Sequence, residues 1–202
     1  MQARPAGTGG DILRAGIAVL VAAYVLSQFY RSFLAVLTPA LGRDLGATAA
    51  DLSLASGLWF AVFAAMQIPV GWALDRIGPR RTAAWLFAAC GGGGAVLFAT
   101  AGSVWQIHAA MILIGIGCSP VLMASFFIFA RVYSPAVFAT LAGALIGFGS
   151  LGNIAGSAPM AWAVDSFGWR GTMLALGGAT AAIALLIGTA VRDPDAVDDS
   201  EE

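Results

Sequence analysis

Six apolar runs occupy most of the chain: 15–41, 52–74, 83–102, 104–130, 135–164 and 171–191. Each reaches the roughly 20 residues that carry a helix across a hydrocarbon core. Helices are required because an open strand would leave backbone polar groups unpaired in lipid. A barrel would show short alternating segments, and none is present. Composition closes the soluble alternatives. Of 202 residues, 59% are hydrophobic and only 10% charged, against about a quarter charged in soluble domains. So few charges cannot clothe a water-facing surface, nor leave a disordered chain in solution. A net charge of −1 offers no basic field for nucleic acid. The sequence therefore predicts an all-α polytopic membrane protein with membrane lipid as its first partner and no nucleic acid.

The fourth and fifth runs are long enough to tilt, and only Gly102 and Ser103 separate the third from the fourth. The first run exceeds a signal-peptide core and no convincing cleavage site follows it, so it is expected to stay as a helix. The expected layout is a cytoplasmic segment 1–14, a six-helix domain 15–191 and an acidic cytoplasmic tail or linker 192–202. All ten basic residues are arginine. With the N-terminus inside, inner segments hold Arg4, Arg14, Arg76, Arg80, Arg81, Arg131 and Arg192, and outer loops hold Arg43 and Arg170. Seven against two places both termini in the cytoplasm by the positive-inside rule, in what reads as a bacterial inner membrane.

The end of the second run reads PVGWALDRIGPR (69–80) and the end of the fifth PMAWAVDSFGWR (159–170). At an offset of 90 residues, Pro69/Pro159, Trp72/Trp162, Ala73/Ala163, Asp75/Asp165, Gly78/Gly168 and Arg80/Arg170 are identical. Two apolar segments alike by composition would match alanine and leucine, not proline, tryptophan, aspartate, glycine and arginine in register. The chain reads as two three-helix repeats, 15–102 and 104–191. Three is odd, so the second is inverted in the membrane, an arrangement recurrent in secondary transporters. A helix-ending signal shared without common ancestry is the alternative.

Arg31 is the one charge well inside a run, where it costs roughly 2.5–3.5 kcal/mol on insertion scales. Tyr24, Ser27, Gln28, Arg31, Ala35 and Thr38 fall on one stripe at helical spacing. A polar stripe on an apolar helix is a cavity wall, and a guanidinium there suits a carboxylate or another oxyanion. The competing reading is a structural arginine bonded to carbonyls. Tyr30 and Asn153 are the further candidate contacts, since a polar group in lipid needs a partner; Gln67 carries less weight. His108, the one histidine, is a candidate proton relay, or a passive anchor at the interface. Gly143, Gly147, Gly149, Gly152 and Gly156 read as helix-packing positions. Cys90 and Cys118 lie in apolar runs and read as small core residues. Neither a metal cluster nor an enzyme constellation is present in the sequence, so no cofactor is called for.

GWALDRIGPRR (71–81) resembles the signature loop of the major facilitator superfamily, through Gly71, Asp75, Arg76, Gly78, Arg80 and Arg81. Pro79 stands where a basic residue is more usual. FGWR at 167–170 is a second hallmark, bringing in Gly168 and Arg170 beside Asp165. The resemblance implies one six-helix half, the N-terminal one, of a twelve-helix fold, with the loop latching one face shut. Asp75 is then expected to pair with Arg81 or to face a neighbouring helix N-terminus. YRSFLAVLTP (30–39) is similar to the first helix of the anion:cation symporter family, with Arg31, Leu34 and Pro39 matching and Tyr30 replacing an acidic residue. MILIGIGCSP (111–120) resembles that family's fourth helix through Gly115, Gly117 and Pro120, with Met111 and Cys118 replacing charged residues. The frame is kept and the charges are lost, which argues against proton coupling by those residues. Gly143, Gly152 and Gly156 are partly similar to a drug-antiporter glycine motif, and LGNIAG (151–156) faintly resembles a nitrate-porter signature.

Together these readings predict a secondary transporter, or its N-terminal half, moving a small organic anion by alternating access beside a second six-helix half. That half would be fused, a separate chain or a second copy. The alternatives are a non-transporting half or accessory membrane protein, and half of a drug antiporter.

Overall fold

The computed structural model describes residues 8–194, with side chains described from Ala15 onward. Arg4, the Arg14 side chain and the acidic cluster from Asp195 to Glu202 lie outside what is described. The backbone is helical throughout: α1 Thr8–Ser32, a 3₁₀ segment Phe33–Leu37, α2 Thr38–Leu45, α3 Ala49–Ala65, α4 Gln67–Arg76, α5 Pro79–Leu86, a π segment Phe87–Gly92, α6 Gly93–Ala99, α7 Val104–Val132, α8 Pro135–Ala155 and α9 Ala158–Ala190. Five stretches are long and apolar enough to cross a membrane, and the bent pair α3/α4 makes up to six. The chain is therefore an integral membrane protein of helical spans.

Local chemistry accounts for the ends and breaks. Thr48 and Asp51 close a capping box at the start of α3, with the Thr48 N–H donated to the Asp51 carboxylate at 2.8 Å. Proline opens α2, α5, α8 and α9, where the missing N–H is not needed. Between α3 and α4 the helix bends by 40° at Met66, and Gln67 donates its amide to the Phe63 carbonyl at 2.8 Å across the bend. The gap expected between the fifth and sixth runs falls inside α9, at Gly168 (φ 72°, ψ 158°). Gly78 before α5 has nearly the same backbone (φ 96°, ψ 150°). Both lie in the left-handed half of φ space, where a Cβ is disfavoured, so glycine belongs at each.

α7 lies at the centre, packed on α3, α5, the π segment, α6 and α1, while α1 packs on α8 and α9, and α6 on α9. Two backbone approaches set this arrangement. At Gly149, Gly152 and Gly156, spaced three and four apart on one face of α8, an added Cβ would run into Tyr24, Val25 and Ser32 of α1. At Gly117 an added Cβ would run into the backbone of Gly91, inside the π segment. Gly143 and Gly147 face open space, so only three of the five α8 glycines pack here.

The buried centre is aromatic: Phe33 meets Phe98 edge-on at 5.5 Å, and Phe98 meets Trp169 at 6.0 Å, joining the 3₁₀ segment, α6 and α9. The outside carries Trp72, Trp85, Trp105 and Trp162, each at least 60% exposed, as suits rings at a membrane interface.

Gly152→Ala is expected to lower stability by about 1–3 kcal/mol through overpacking, whereas Gly147→Ala should be neutral or raise it by up to about 1 kcal/mol. Thermal unfolding in detergent compares the two. Equal midpoints would refute the close approach of α8 to α1.

Candidate functional site

The helical repeat of α1 brings Tyr24, Ser27, Gln28 and Arg31 onto the wall of one cavity of about 190 Å³. α3 contributes Trp59, Phe60 and Phe63, and α7 contributes Cys118 and Leu122. The expected stripe divides here: Ala35 and Thr38 line a second hollow of about 230 Å³ with Leu52, Ser53 and Ser56. The 3₁₀ segment between Arg31 and Thr38 separates the two.

The Arg31 guanidinium carbon lies over the Phe60 ring, 5.1 Å from its centroid. Such a placement is attractive and leaves the in-plane N–H donors at the edge. Among the described residues no carboxylate pairs with Arg31. Gln28 donates its amide to the Tyr24 hydroxyl one turn back, and Gly149 of α8 lets the Tyr24 ring sit directly against that helix. Trp59 and Phe63 stack with centroids 5.0 Å apart, and Phe60 meets Trp59 edge-on at 4.9 Å. The cavity thus offers one cation, a short polar pair and an aromatic wall. Chemically that suits an oxyanion attached to an apolar body.

Tyr30 and Asn153 do not line this cavity. Tyr30 is fully buried with its hydroxyl 2.8 Å from Thr180 on α9. Thr180 donates its own hydrogen to the Leu176 carbonyl at 2.7 Å, so Tyr30 is the donor between them. The bond ties α1 to α9, away from Arg31. Asn153 is exposed on α8, beside the inward-facing Gly152. His108 is buried at the start of α7, its Nε2 3.0 Å from the Asp51 carbonyl oxygen and its ring edge-on to Trp105. It joins α7 to α3 near one end of the bundle, apart from the cavity. The aromatic wall and Cys118 were absent from the sequence-derived site. Their signal, Trp59, Phe60 and Phe63 within five residues, is indistinguishable from ordinary apolar helix until α3 is placed against α1.

The two repeated loops sit at helix ends. Asp75 reaches Arg131 at the end of α7, at 3.8 Å, and Arg131 lies 3.9 Å over the Phe127 ring. Neither expected partner of Asp75 is used. Arg81 is exposed, and the α5 N-terminus takes Asp193 instead, which accepts the Arg80 N–H at 2.8 Å and pairs with its side chain at 3.5 Å. Asp193 also packs on Gly78. Gly71 sits near Met123 of α7, while Arg76 is exposed. In the second loop Asp165 is exposed, and Arg170 and Trp169 both donate to Asp44 at the end of α2, at 3.4 and 2.8 Å. Arg170 also donates to the Ala101 carbonyl just past α6, at 3.1 Å. Half-exposed pairs of this kind are worth about 0–1 kcal/mol each, so they brace a conformation without locking it.

The family model of the Major Facilitator Superfamily matches residues 20–202. Among curated proteins no match is found. Two crystal structures of a bacterial homologue of the human lysosomal transporter Spinster share the fold. The inward-facing, unoccupied one superposes with a TM-score of 0.76 at 19% identity, over 89% of this chain and 43% of that one. The inward-facing, occupied one gives 0.71 at 21% identity, over 88% and 44%. The chain thus spans less than half the length of either. The family match over nearly all of the described residues, on a helical membrane fold shared with a transporter, shows that this chain belongs to the Major Facilitator Superfamily.

Proposed function

We propose that the chain acts as the N-terminal six-helix half of a secondary transporter that moves a small organic anion by alternating access, with Arg31 as the anion anchor. The observation that carries this reading is the Arg31 guanidinium, set in a cavity between α1, α3 and α7 without a counter-charge among the described residues. Arg31 is itself exposed, so a transported carboxylate can reach the guanidinium and complete it bidentately. Tyr24 and Gln28 supply the adjacent polar contacts. The two three-helix units are inverted repeats. Supporting this are the matched backbones at Gly78 and Gly168 and the reciprocal packing of α1 on α8 and of α7 on α3. The second half, fused, separate or a second copy, completes the pathway, and both termini face the cytoplasm of a bacterial cell.

The loops at 71–81 and 165–170 are the conformational braces. Each ties a repeat's second-to-third-helix turn to helix ends of the other repeat: Asp75 to Arg131 and Arg80 to Asp193, then Arg170 to Asp44. Weak pairs at both faces suit a carrier that must break one set while making the other. The chemistry asked of the protein is binding and release alone, so no enzymatic step enters.

Arg31→Ala is expected to abolish uptake of organic carboxylates into proteoliposomes while insertion and helix content stay normal. Arg31→Lys should be impaired as well, because an ammonium lacks the planar fork. Unchanged uptake in Arg31→Ala would remove Arg31 from the site. A double Asp75→Asn, Asp193→Asn variant should lower the maximal rate several-fold at constant apparent affinity. A purely affinity-based defect would count against the loop as a brace.

A further inference from the structure

Arg31 accounts for charge but not for the rest of the cavity wall. Trp59 lines the cavity and is only 3% exposed, yet its indole N–H has no acceptor among the described residues. Buried donors are nearly always satisfied, so this N–H, on a ring that lines the cavity, stands out as a donor of the wall still without a partner. The backbone that carries the ring is closely placed: a Cβ at Gly115 would lie 2.9 Å from the Trp59 carbonyl oxygen, which sets α3 hard against α7 at this level. Phe63 stacks on it, 5.0 Å between centroids and 14° between planes.

The polar capacity of the same wall is small. Besides Arg31 and the Trp59 indole its polar groups are only Tyr24, Ser27 and Gln28, of which Gln28 already donates to Tyr24, and Cys118 and Leu122 are apolar or weakly polar. A polyhydroxylated anion would strand hydroxyl groups against aromatic faces, each a lost hydrogen bond. A flat apolar body would instead cover the wall. The size agrees: a cavity of roughly 150 Å³ holds benzene, and this one measures about 190 Å³. Trp59 and Phe63 touch each other, so a ligand ring rests on the wall they form and does not slide between them.

We propose that this cavity selects planar aromatic carboxylates over sugar-like or small aliphatic ones. Arg31 and the Trp59 indole N–H take the carboxylate, and the faces of Trp59 and Phe63 take the ring. The proposal rests on the anion-anchor reading of Arg31 and narrows it to one substrate class. Trp59 becomes a binding residue, a role the stripe on α1 did not suggest.

Calorimetric titration of the full chain in lipid nanodiscs tests this with four probes: benzoate, cyclohexanecarboxylate, gluconate and neutral benzamide. Benzoate should bind roughly tenfold more tightly than cyclohexanecarboxylate, as expected for one aromatic pair. Gluconate and benzamide should bind far more weakly than either. Arg31→Gln should remove benzoate binding. Trp59→Phe keeps a ring and loses the N–H, and should weaken benzoate about five- to tenfold. Phe63→Leu should erase the preference for benzoate over cyclohexanecarboxylate while leaving gluconate unchanged. Circular dichroism and monodisperse elution establish that each variant is folded. Equal binding of benzoate, cyclohexanecarboxylate and gluconate, with Arg31 still required, would overturn the aromatic selection and leave the anchor standing. Benzoate binding that survives Arg31→Gln would overturn the anchor itself. Full benzoate affinity in Trp59→Phe would overturn the role of the indole.

Discussion

Inside hydrocarbon no solvent completes a backbone hydrogen bond, and the whole molecule is arranged around that deficit. Each helix closes its backbone bonds along itself. Where the ladder breaks, the freed groups find local substitutes. At Met66 the Gln67 amide takes up the Phe63 carbonyl. At the start of α3 a capping box satisfies the first turn. At the start of α5 a carboxylate from beyond α9 accepts an N–H.

Lipid tails are as apolar as leucine, so helix association cannot rest on the hydrophobic effect and falls to close packing. That explains the importance of the contact between α8 and α1. Gly149, Gly152 and Gly156 strip one face of α8 down to backbone, and α1 settles onto it. The same device at Gly117 and Gly91 joins α7 to the π segment. Once α1 is held by α8 and α9, and α3 by α7, the polar stripe of α1 and the aromatic face of α3 have to meet. The cavity is a consequence of these two close approaches.

Charge is used sparingly and in two ways. At helix ends, Asp44, Asp75 and Asp193 each meet an arginine at half-exposed positions, where an ion pair is worth little and is easily exchanged. In the last turn of α1, the exposed Arg31 rests on the Phe60 ring, and among the described residues no acid pairs with it. The first arrangement favours reversible contacts between segments. The second leaves a guanidinium without an acidic partner among the described residues.

Much of this was legible in the residues. Run lengths and the shortage of charge dictated helices in a membrane, because nothing else satisfies a backbone in lipid. The repeated PVGWALDRIGPR and PMAWAVDSFGWR segments located both left-handed turns, because glycine at Gly78 and Gly168 is what that backbone needs. The stripe around Arg31 located one wall of the cavity, because helical periodicity is local. What periodicity cannot hold is which helix comes next to which. Tyr30 carried the same polar signal as Tyr24, yet it turns to Thr180 on α9 while Tyr24 lines the cavity. Trp59 and Phe63 looked like plain apolar helix until α3 was set opposite α1. Asp75 had nearer candidates in sequence than Arg131. These outcomes depend on contacts between residues tens of positions apart. Such contacts are chosen by the fit of whole helix faces, and only the tertiary structure decides them.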